Sequence, residues 1–521
     1  MSLKYLCTAG TFDSLPLLGA EILSVETSLV TNYTATSHAI YRFIQPSVEV
    51  KGINFCNITV SYTHPGQNDN ILVETWLPVD TWNERLQAVG GASFTAGRTF
   101  LSYYNMNGAL ADGYATVTTD AGLGSAADAS EWALVSPGNV NLYNLQNLAS
   151  ISLNDEAIIA KSLIKSFYGK DPAYSYFNGC SQGGRQGLLL AQRYPDAYDG
   201  IAAGAPALYW NELLSSMQWP QQVMSMNGYP HGCELDAIVA ATVKECDPLD
   251  GVEDGIISDI NACLDHFDPF SLVGSSAMCI EGGRRGDVLI SQAAATVVKA
   301  TWDGMRTADG KQLWLGYTPG TALTASSSGV AGTDCSSGSC VGVPIFLGSE
   351  WLRYFVAKDL EFDLTHLEHK EFDDLVHQGK VYESFLATND PDLSRFRDAG
   401  GKLVTFHGLA DNLISSHGTE RYYRAVSDLL PDTRDFYRYF EVPGMAHCWG
   451  GKSGQPESLF EQLREWVEGG TAPDETPVKI TDLDGKVQDR VLCSYPRKAK
   501  FDELCGEPGR AECWGCAETD R

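Results

Sequence analysis

No stretch of this chain approaches the roughly 18 consecutive apolar residues a membrane-spanning helix needs, so it is not expected to cross a bilayer. Cationic side chains are scarce: 37 Lys and Arg face 66 Asp and Glu, for a formal net charge of -29. A field of that sign repels nucleic acid and anionic membrane surfaces, which leaves solubility in an acidic or extracellular setting as its meaning. No internal repeat is present. Residues 1–30 carry Asp13, Glu21 and Glu26 where a signal peptide would be apolar; the expectation is a mature secreted form whose leader is already gone. Histidines number only 10 in 521 residues, so one that falls at a candidate site is informative.

Cysteine is not scarce. Fourteen are scattered along the chain, more than a reducing compartment favours, and no two C-x-x-C pairs stand at zinc-ribbon spacing. Cys513-Trp514-Gly515-Cys516 lies in a Pro- and charge-rich tail beside Cys493 and Cys505, and reads as part of a disulfide-held surface wrap rather than a redox motif. Cys7 and Cys56 offer a staple near the start, although spacing does not fix connectivity. Sequons at Asn32-Tyr33-Thr34 and Asn57-Ile58-Thr59 fit secretion.

From residue 70 an α/β rhythm begins. Residues 70–77, 85–89 and 114–119 have strand character, 153–168 has the apolar spacing of an amphipathic helix with Asn154 or Asp155 available as its cap, and 200–204 reads as a buried strand. Residues 1–64 read as polar loops. After Pro206 the rhythm lapses into a segment rich in Trp, Met, Gly, Ser and Cys, and a clean strand returns at 400–406. The economical interpretation is one mostly parallel α/β domain, residues 1–207 and 391–521, with a lid inserted at 208–390 over the ligand-binding edge of the sheet; an independent domain in tandem is the alternative.

The chemistry centres on Gly179-Cys180-Ser181-Gln182-Gly183, a G-x-S-x-G pattern between an aromatic strand at 173–177 and a helix opening at 184. Strand, tight turn and helix are the setting of a nucleophile elbow. A serine hydroxyl needs a histidine to take its proton and an acid to orient that histidine, in the chain order Ser, Asp, His. Asp411 stands just past the returning strand, and His447 follows a further strand candidate at 435–441. The 36 residues between them leave room for one helix and one strand. Cys180 precedes the serine and Cys448 follows the histidine. Since a disulfide holds its Cα atoms about 4.4–6.8 Å apart, a bond between these two would clamp the histidine loop against the elbow. Of the two N–H donors an oxyanion hole needs, one is expected from Gln182 and the other from the loop Val89-Gly90-Gly91-Ala92-Ser93-Phe94, with Gly91 as the candidate.

Cys-Ser, Asp and His-Cys in this order resemble the tannase and feruloyl esterase family, and so do the blocks His64-Pro65-Gly66-Gln67-Asn68, Gly179 to Gly184, His407 to Ile414 and Gly444 to Cys448. The resemblance spans nearly the whole chain. It implies an α/β-hydrolase core with a lid, a Ser181, Asp411 and His447 triad, and the Cys180–Cys448 disulfide. The family's longer glycine run at the oxyanion loop is replaced here by Ala92-Ser93. By itself, Cys246-Asp247-Pro248-Leu249-Asp250-Gly251-Val252-Glu253-Asp254-Gly255-Ile256 could be an acidic Asp-Gly turn, and it does not follow the EF-hand pattern. The resemblance implies a structural calcium there, held by the side chains of Asp247, Asp250 and Asp254 and the carbonyls of Val252 and Ile256, with Cys246 and Cys263 paired around it. Asp482-Leu483-Asp484-Gly485 reads as a hairpin turn.

The expected function is a secreted serine carboxylesterase acting on hydroxycinnamate esters of plant cell-wall sugars, with a tannase acting on galloyl esters as the runner-up. A catalytically silent fold that binds phenolics or carbohydrate is the reading from another class. The aromatic and methionine content of the lid suggests a flat aromatic acyl group, while ordinary lid core accounts for it equally. The expected partner is the ester substrate, with neither nucleic acid nor membrane; monomer and homodimer remain open.

Overall fold

The computed structural model describes residues 3–12, 15–281, 284–325 and 328–518. Its centre is a nine-stranded sheet. The strands are β1 (Glu21–Ser37), β2 (Val48–Thr63), β3 (Ile71–Pro78), β4 (Arg85–Val89), β5 (Ala115–Thr119), β6 (Tyr174–Cys180), β7 (Gly200–Gly204), β8 (Lys402–Gly408) and β9 (Tyr437–Val442). They lie in the order β1-β2-β3-β5-β4-β6-β7-β8-β9. From β5 to β9 every pairing is parallel, whereas β1, β2, β3 and β5 pair antiparallel. The parallel strands β5 and β7 are buried along their whole length, as expected where helices cover both faces.

Residues 21–63, read above as loops, instead supply the two longest strands. The edge strand β1 mixes Ser, Thr and Asn with Leu and Val and is largely exposed. β-branched polar residues satisfy a half-solvated strand as well as apolar ones do, so polarity there marked an edge and not a loop. The helix at Ser152–Tyr168 also starts differently from expectation. It continues from a helix at Leu142–Gln146 through a π turn at Asn147–Ile151, so it has no free N-terminus for Asn154 or Asp155 to cap. Asp155 instead accepts a hydrogen bond from the Tyr62 hydroxyl (3.0 Å) and lies 3.2 Å from His64 Nε2. His64 Nδ1 is 2.7 Å from Asp69, so the His64–Asn68 loop is locked onto this helix.

β7 and β8 are adjacent and parallel. The chain therefore leaves the sheet after Gly204 and returns to the next position in the same sheet. The excursion is mainly helical, with small hairpins at Ser276–Glu281 with Arg284–Leu289 and at Gly332–Asp334 with Val341–Val343. Trp210, Trp219, Trp314 and Trp351 are at most 6% exposed and belong to its core. That core is continuous with the catalytic side: Phe94 of the loop after β4 packs against Trp210 (6.0 Å between rings) and Phe355 (5.8 Å).

All fourteen cysteines are paired. Cys7–Cys56, Cys180–Cys448 and Cys246–Cys263 follow expectation, and Cys493–Cys516 and Cys505–Cys513 bind the tail. Cys233–Cys279 and Cys335–Cys340 complete the set. The Asp482–Gly485 segment is the turn of a hairpin between Glu475–Thr481 and Val487–Cys493.

Candidate active site

Ser181 joins β6 to the helix Gln182–Arg193 with φ 65° and ψ -121°. A non-glycine residue pays for such a backbone in strain, and the surroundings must hold it there. Glycines make the turn possible. A Cβ on Gly184 would come within 2.1 Å of the Gly204 carbonyl oxygen, so this helix packs on β7 at a distance no other residue permits. As the first residue of the helix, Gln182 has an N–H with no intrahelical acceptor, beside the serine.

The acid and the histidine meet as the spacing predicts. A helix at Ser416–Leu429 and then β9 fill the interval between them. His447 Nδ1 donates to Asp411 Oδ2 at 2.8 Å, which leaves Nε2 as the proton acceptor. Asp411 is buried, and its Oδ1 accepts the backbone N–H groups of Leu413 (2.9 Å) and Ile414 (2.8 Å). A second imidazole also reaches this carboxylate: His407 Nε2 lies 3.1 Å from Oδ2 and 3.0 Å from the Ile414 carbonyl, while Nδ1 is 2.8 Å from the Thr419 hydroxyl. Burial alone would raise the Asp411 carboxyl, but the two imidazoles hold it well below the usual carboxylate range. Its charge is therefore in place throughout the working range of an esterase.

The disulfide closes the arrangement. The Cα atoms of Cys180 and Cys448 are 6.1 Å apart, and Cys448 Sγ is 3.7 Å from His447 Nε2. The free nitrogen of the imidazole thus faces the bridge whose other half is the residue before Ser181. Asn412 adds to the loop's placement, accepting the His447 N–H (3.4 Å) and donating to the Ser328 hydroxyl of the excursion (2.6 Å).

Gly91 is a correction. Its N–H donates to Gln186 Oε1 at 2.9 Å and is not available to an oxyanion. A Cβ on Gly91 would also come within 2.3 Å of the Thr95 carbonyl, so its glycine character serves close packing. Among the neighbouring N–H groups, that of Ala92 makes only a 3.4 Å contact with the Thr95 hydroxyl, and Ala92 is half-buried. Gln186 and Arg185 are residues that sequence reasoning missed. Gln186 holds the loop after β4 through Gly91 and the Ala96 carbonyl (2.9 Å). Arg185 is fully buried, bonds Gln182 Oε1 (2.7 Å) and the carbonyls of Leu148 (2.8 Å) and Ala149 (3.1 Å), and is pushed down to about 9 by burial. Their signal was present, since both follow the elbow directly, but their partners other than Gln182 lie far away in sequence.

In the acidic loop, Asp247 accepts the N–H groups of Asp254 (3.1 Å), Gly255 (2.8 Å) and Ile256 (3.3 Å), and Asp250 that of Val252 (3.0 Å). Arg490 lies 3.3 Å from Asp254. Burial and Asp250 nonetheless push the Asp254 carboxyl up to about 6. Three carboxylates against one guanidinium, with oxygen donors throughout, suit a hard cation. Among the described residues, these three side chains do not each bring an oxygen within 4.8 Å of the others. A cavity of about 400 Å³ lies between this loop and the C-terminal tail, lined by Arg490, Tyr495 and Trp514, and is separate from Ser181. Of the sequon residues, Asn32 is exposed at φ 54° in β1, whereas the half-buried Asn57 amide donates to Glu74 (3.2 Å).

A doubly covered sheet that ends in a strained serine, with a carboxylate-bound imidazole tethered beside it, is the framework of the serine carboxylic ester hydrolases of α/β-hydrolase fold, and comparison with known proteins places the chain in that class. The family model described as tannase and feruloyl esterase matches residues 56–512, and the chain belongs to this family. It is 38% identical over 484 residues to a probable feruloyl esterase of Arthroderma benhamiae, covering 91% of this chain and 87% of that protein. It is 29% identical to a tannase of Aspergillus oryzae, covering 85% and 83%. Among solved structures, the tannin acyl hydrolase of Aspergillus niger superposes with a TM-score of 0.86 at 28% identity, covering 99% of this chain and 96% of that one.

Proposed function

We propose that this chain is a secreted feruloyl-type esterase that releases hydroxycinnamic acids from plant cell-wall sugars through an acyl-enzyme. The observation that supports the mechanism is the Cys180–Cys448 bridge, which joins the residue before the elbow serine to the residue after an Asp411-bound histidine. Ser181 Oγ attacks the ester carbonyl as its proton passes to His447 Nε2, and Asp411 stabilises the imidazolium. The N–H groups of Gln182 and Ala92 receive the developing oxyanion. His447 then gives its proton to the departing alcohol oxygen, and a water activated by the same nitrogen releases the acid and restores the serine.

The feruloyl reading is supported by the 38% identical relative, and the galloyl alternative by the tannase likenesses. Turnover of methyl ferulate and methyl gallate by the purified protein separates them. Ferulate is expected to be the better substrate, and a strong preference for gallate overturns the choice. Seven disulfides and an exposed sequon at Asn32 support secretion.

The acidic loop is the proposed calcium site, through the side chains of Asp247, Asp250 and Asp254 and the carbonyls of Val252 and Ile256. When bound, the ion would supply charge neutralisation and order to the loop. Verified removal by chelation should lower Tm while leaving kcat of the surviving folded protein nearly unchanged. An unmoved Tm would count against the site.

A further inference from the structure

An aromatic cluster that the mechanism does not use borders the histidine loop. Tyr41 is its hub: its ring lies 4.8 Å from Tyr104 at 27°, 6.2 Å from Phe100 at 80° and 6.1 Å from Trp449 at 76°. Phe43 stacks against Trp449 at 6.3 Å and 24°. Phe43 is buried and anchors the cluster, Tyr41, Tyr104 and Trp449 are half-buried, and Phe100 and Ile40 are 63% and 43% exposed. We propose that this surface is the subsite for the alcohol half of the substrate, and that it takes a neutral sugar ring. The proposal rests on the role given to His447 above.

Chemistry fixes the side. The histidine that takes the serine proton later delivers it to the leaving alcohol oxygen, so the alcohol must lie on the imidazole flank of the bond being cut. Trp449 stands two residues beyond His447, and its N–H donates to the His447 carbonyl at 2.7 Å. Phe100 begins the helix Phe100–Ala111, capped by Thr99, directly after the loop that carries the Ala92 N–H. Tyr41 and Phe43 are tied to the elbow itself: Asn178, three residues before Ser181, donates to the carbonyls of Arg42 (2.9 Å) and Phe43 (3.2 Å). Gln455 bridges the Ile40 (3.2 Å) and Cys448 (2.7 Å) carbonyls. All three segments are thus fixed to parts of the site and do not need to order themselves on binding.

Composition fixes the occupant. None of the six side chains is charged, so the surface offers nothing to an ionic ligand, while the exposed Phe100 ring and the half-buried Tyr41 and Trp449 beside it suit the C–H face of a sugar ring.

The test uses Phe100→Ala and Tyr41→Ala in the intact protein, with the methyl ester and a glycosyl ester of whichever acid, ferulic or gallic, the enzyme turns over. The expected result is a kcat/KM for the glycosyl ester that falls about tenfold, the effect of one lost aromatic contact, mainly through KM, with the methyl ester within about twofold of wild type. Equal losses on both esters, or no loss on either, would overturn the proposal, as would a shift from dimer to monomer in Phe100→Ala, which would show the patch to be covered by a second copy. A soluble pentose oligosaccharide alone gives a readout independent of catalysis: saturable change of tryptophan fluorescence in wild type, lost in Phe100→Ala. No saturation in wild type would also overturn it. If no ester is cleaved, the esterase reading fails and takes the alcohol-half assignment with it; cleavage of both esters without the selective loss overturns the subsite alone.

Discussion

Replacing Ser181 with alanine should lower kcat/KM for the preferred ester by roughly 10³-fold or more, leaving only what the oxyanion donors and binding supply. The fold should not change. Ser181 is the junction of β6 and its helix, and alanine faces the same penalty at φ 65° as serine does. The loss should therefore appear with an unchanged circular-dichroism spectrum and with Tm close to that of wild type. A fluorophosphonate should label wild type at Ser181 and fail to label the variant. Retention of more than a tenth of wild-type turnover, or labelling elsewhere in the chain, would remove Ser181 from the nucleophile's role; failure of the reagent to label wild type at all would favour the silent binding fold instead.

The double substitution Cys180→Ala with Cys448→Ala should cost about 10²-fold in kcat, since displacement of a catalytic group by about 1 Å is enough for such a loss. The bridge closes a loop of sequence separation 268, for which chain entropy gives an upper value of about 5.6 kcal/mol, so some fall in Tm is expected as well. The two effects separate by temperature. Well below the new Tm the protein should be folded, since the parallel strands and six other disulfides are untouched, and should still be slow. His447 would remain bonded to Asp411 but lose the tether that faces Nε2 to the elbow. Full turnover in the folded double variant would mean that the loop places its histidine without the bridge.

Both predictions turn on groups that can be read directly from the chain, and the reason is local. The elbow has to be strand, glycine-flanked serine and helix because its backbone is strained, and that demand is written within ten residues. The distance from Asp411 to His447 reflects one helix and one strand of a repeating architecture. Side chains that act across the molecule leave no such mark. Gly91 and Gln186 are 95 positions apart, and nothing near either shows that the glutamine takes the glycine's N–H. His407 beside Asp411 is a similar case: its i, i+4 spacing suggested nothing at a strand end, because the turn between them brings the imidazole to the carboxylate.

Polarity misled in one place. β1 at the sheet edge and β2 beside it carry enough Ser, Thr and Asn to pass for loops, since a strand with one wet face needs apolar residues on the other face only. The tryptophans of the excursion after β7 are buried core, the reading that composition had left open beside an aromatic acyl pocket. By itself the chain determined the elbow, the meeting of Asp411 with His447 and the pairing of Cys180 with Cys448, because strained turns and covalent bridges require particular residues at particular positions. The tertiary structure alone decided which donors remain free and which aromatic rings face water, since those depend on what distant segments leave uncovered once they have packed.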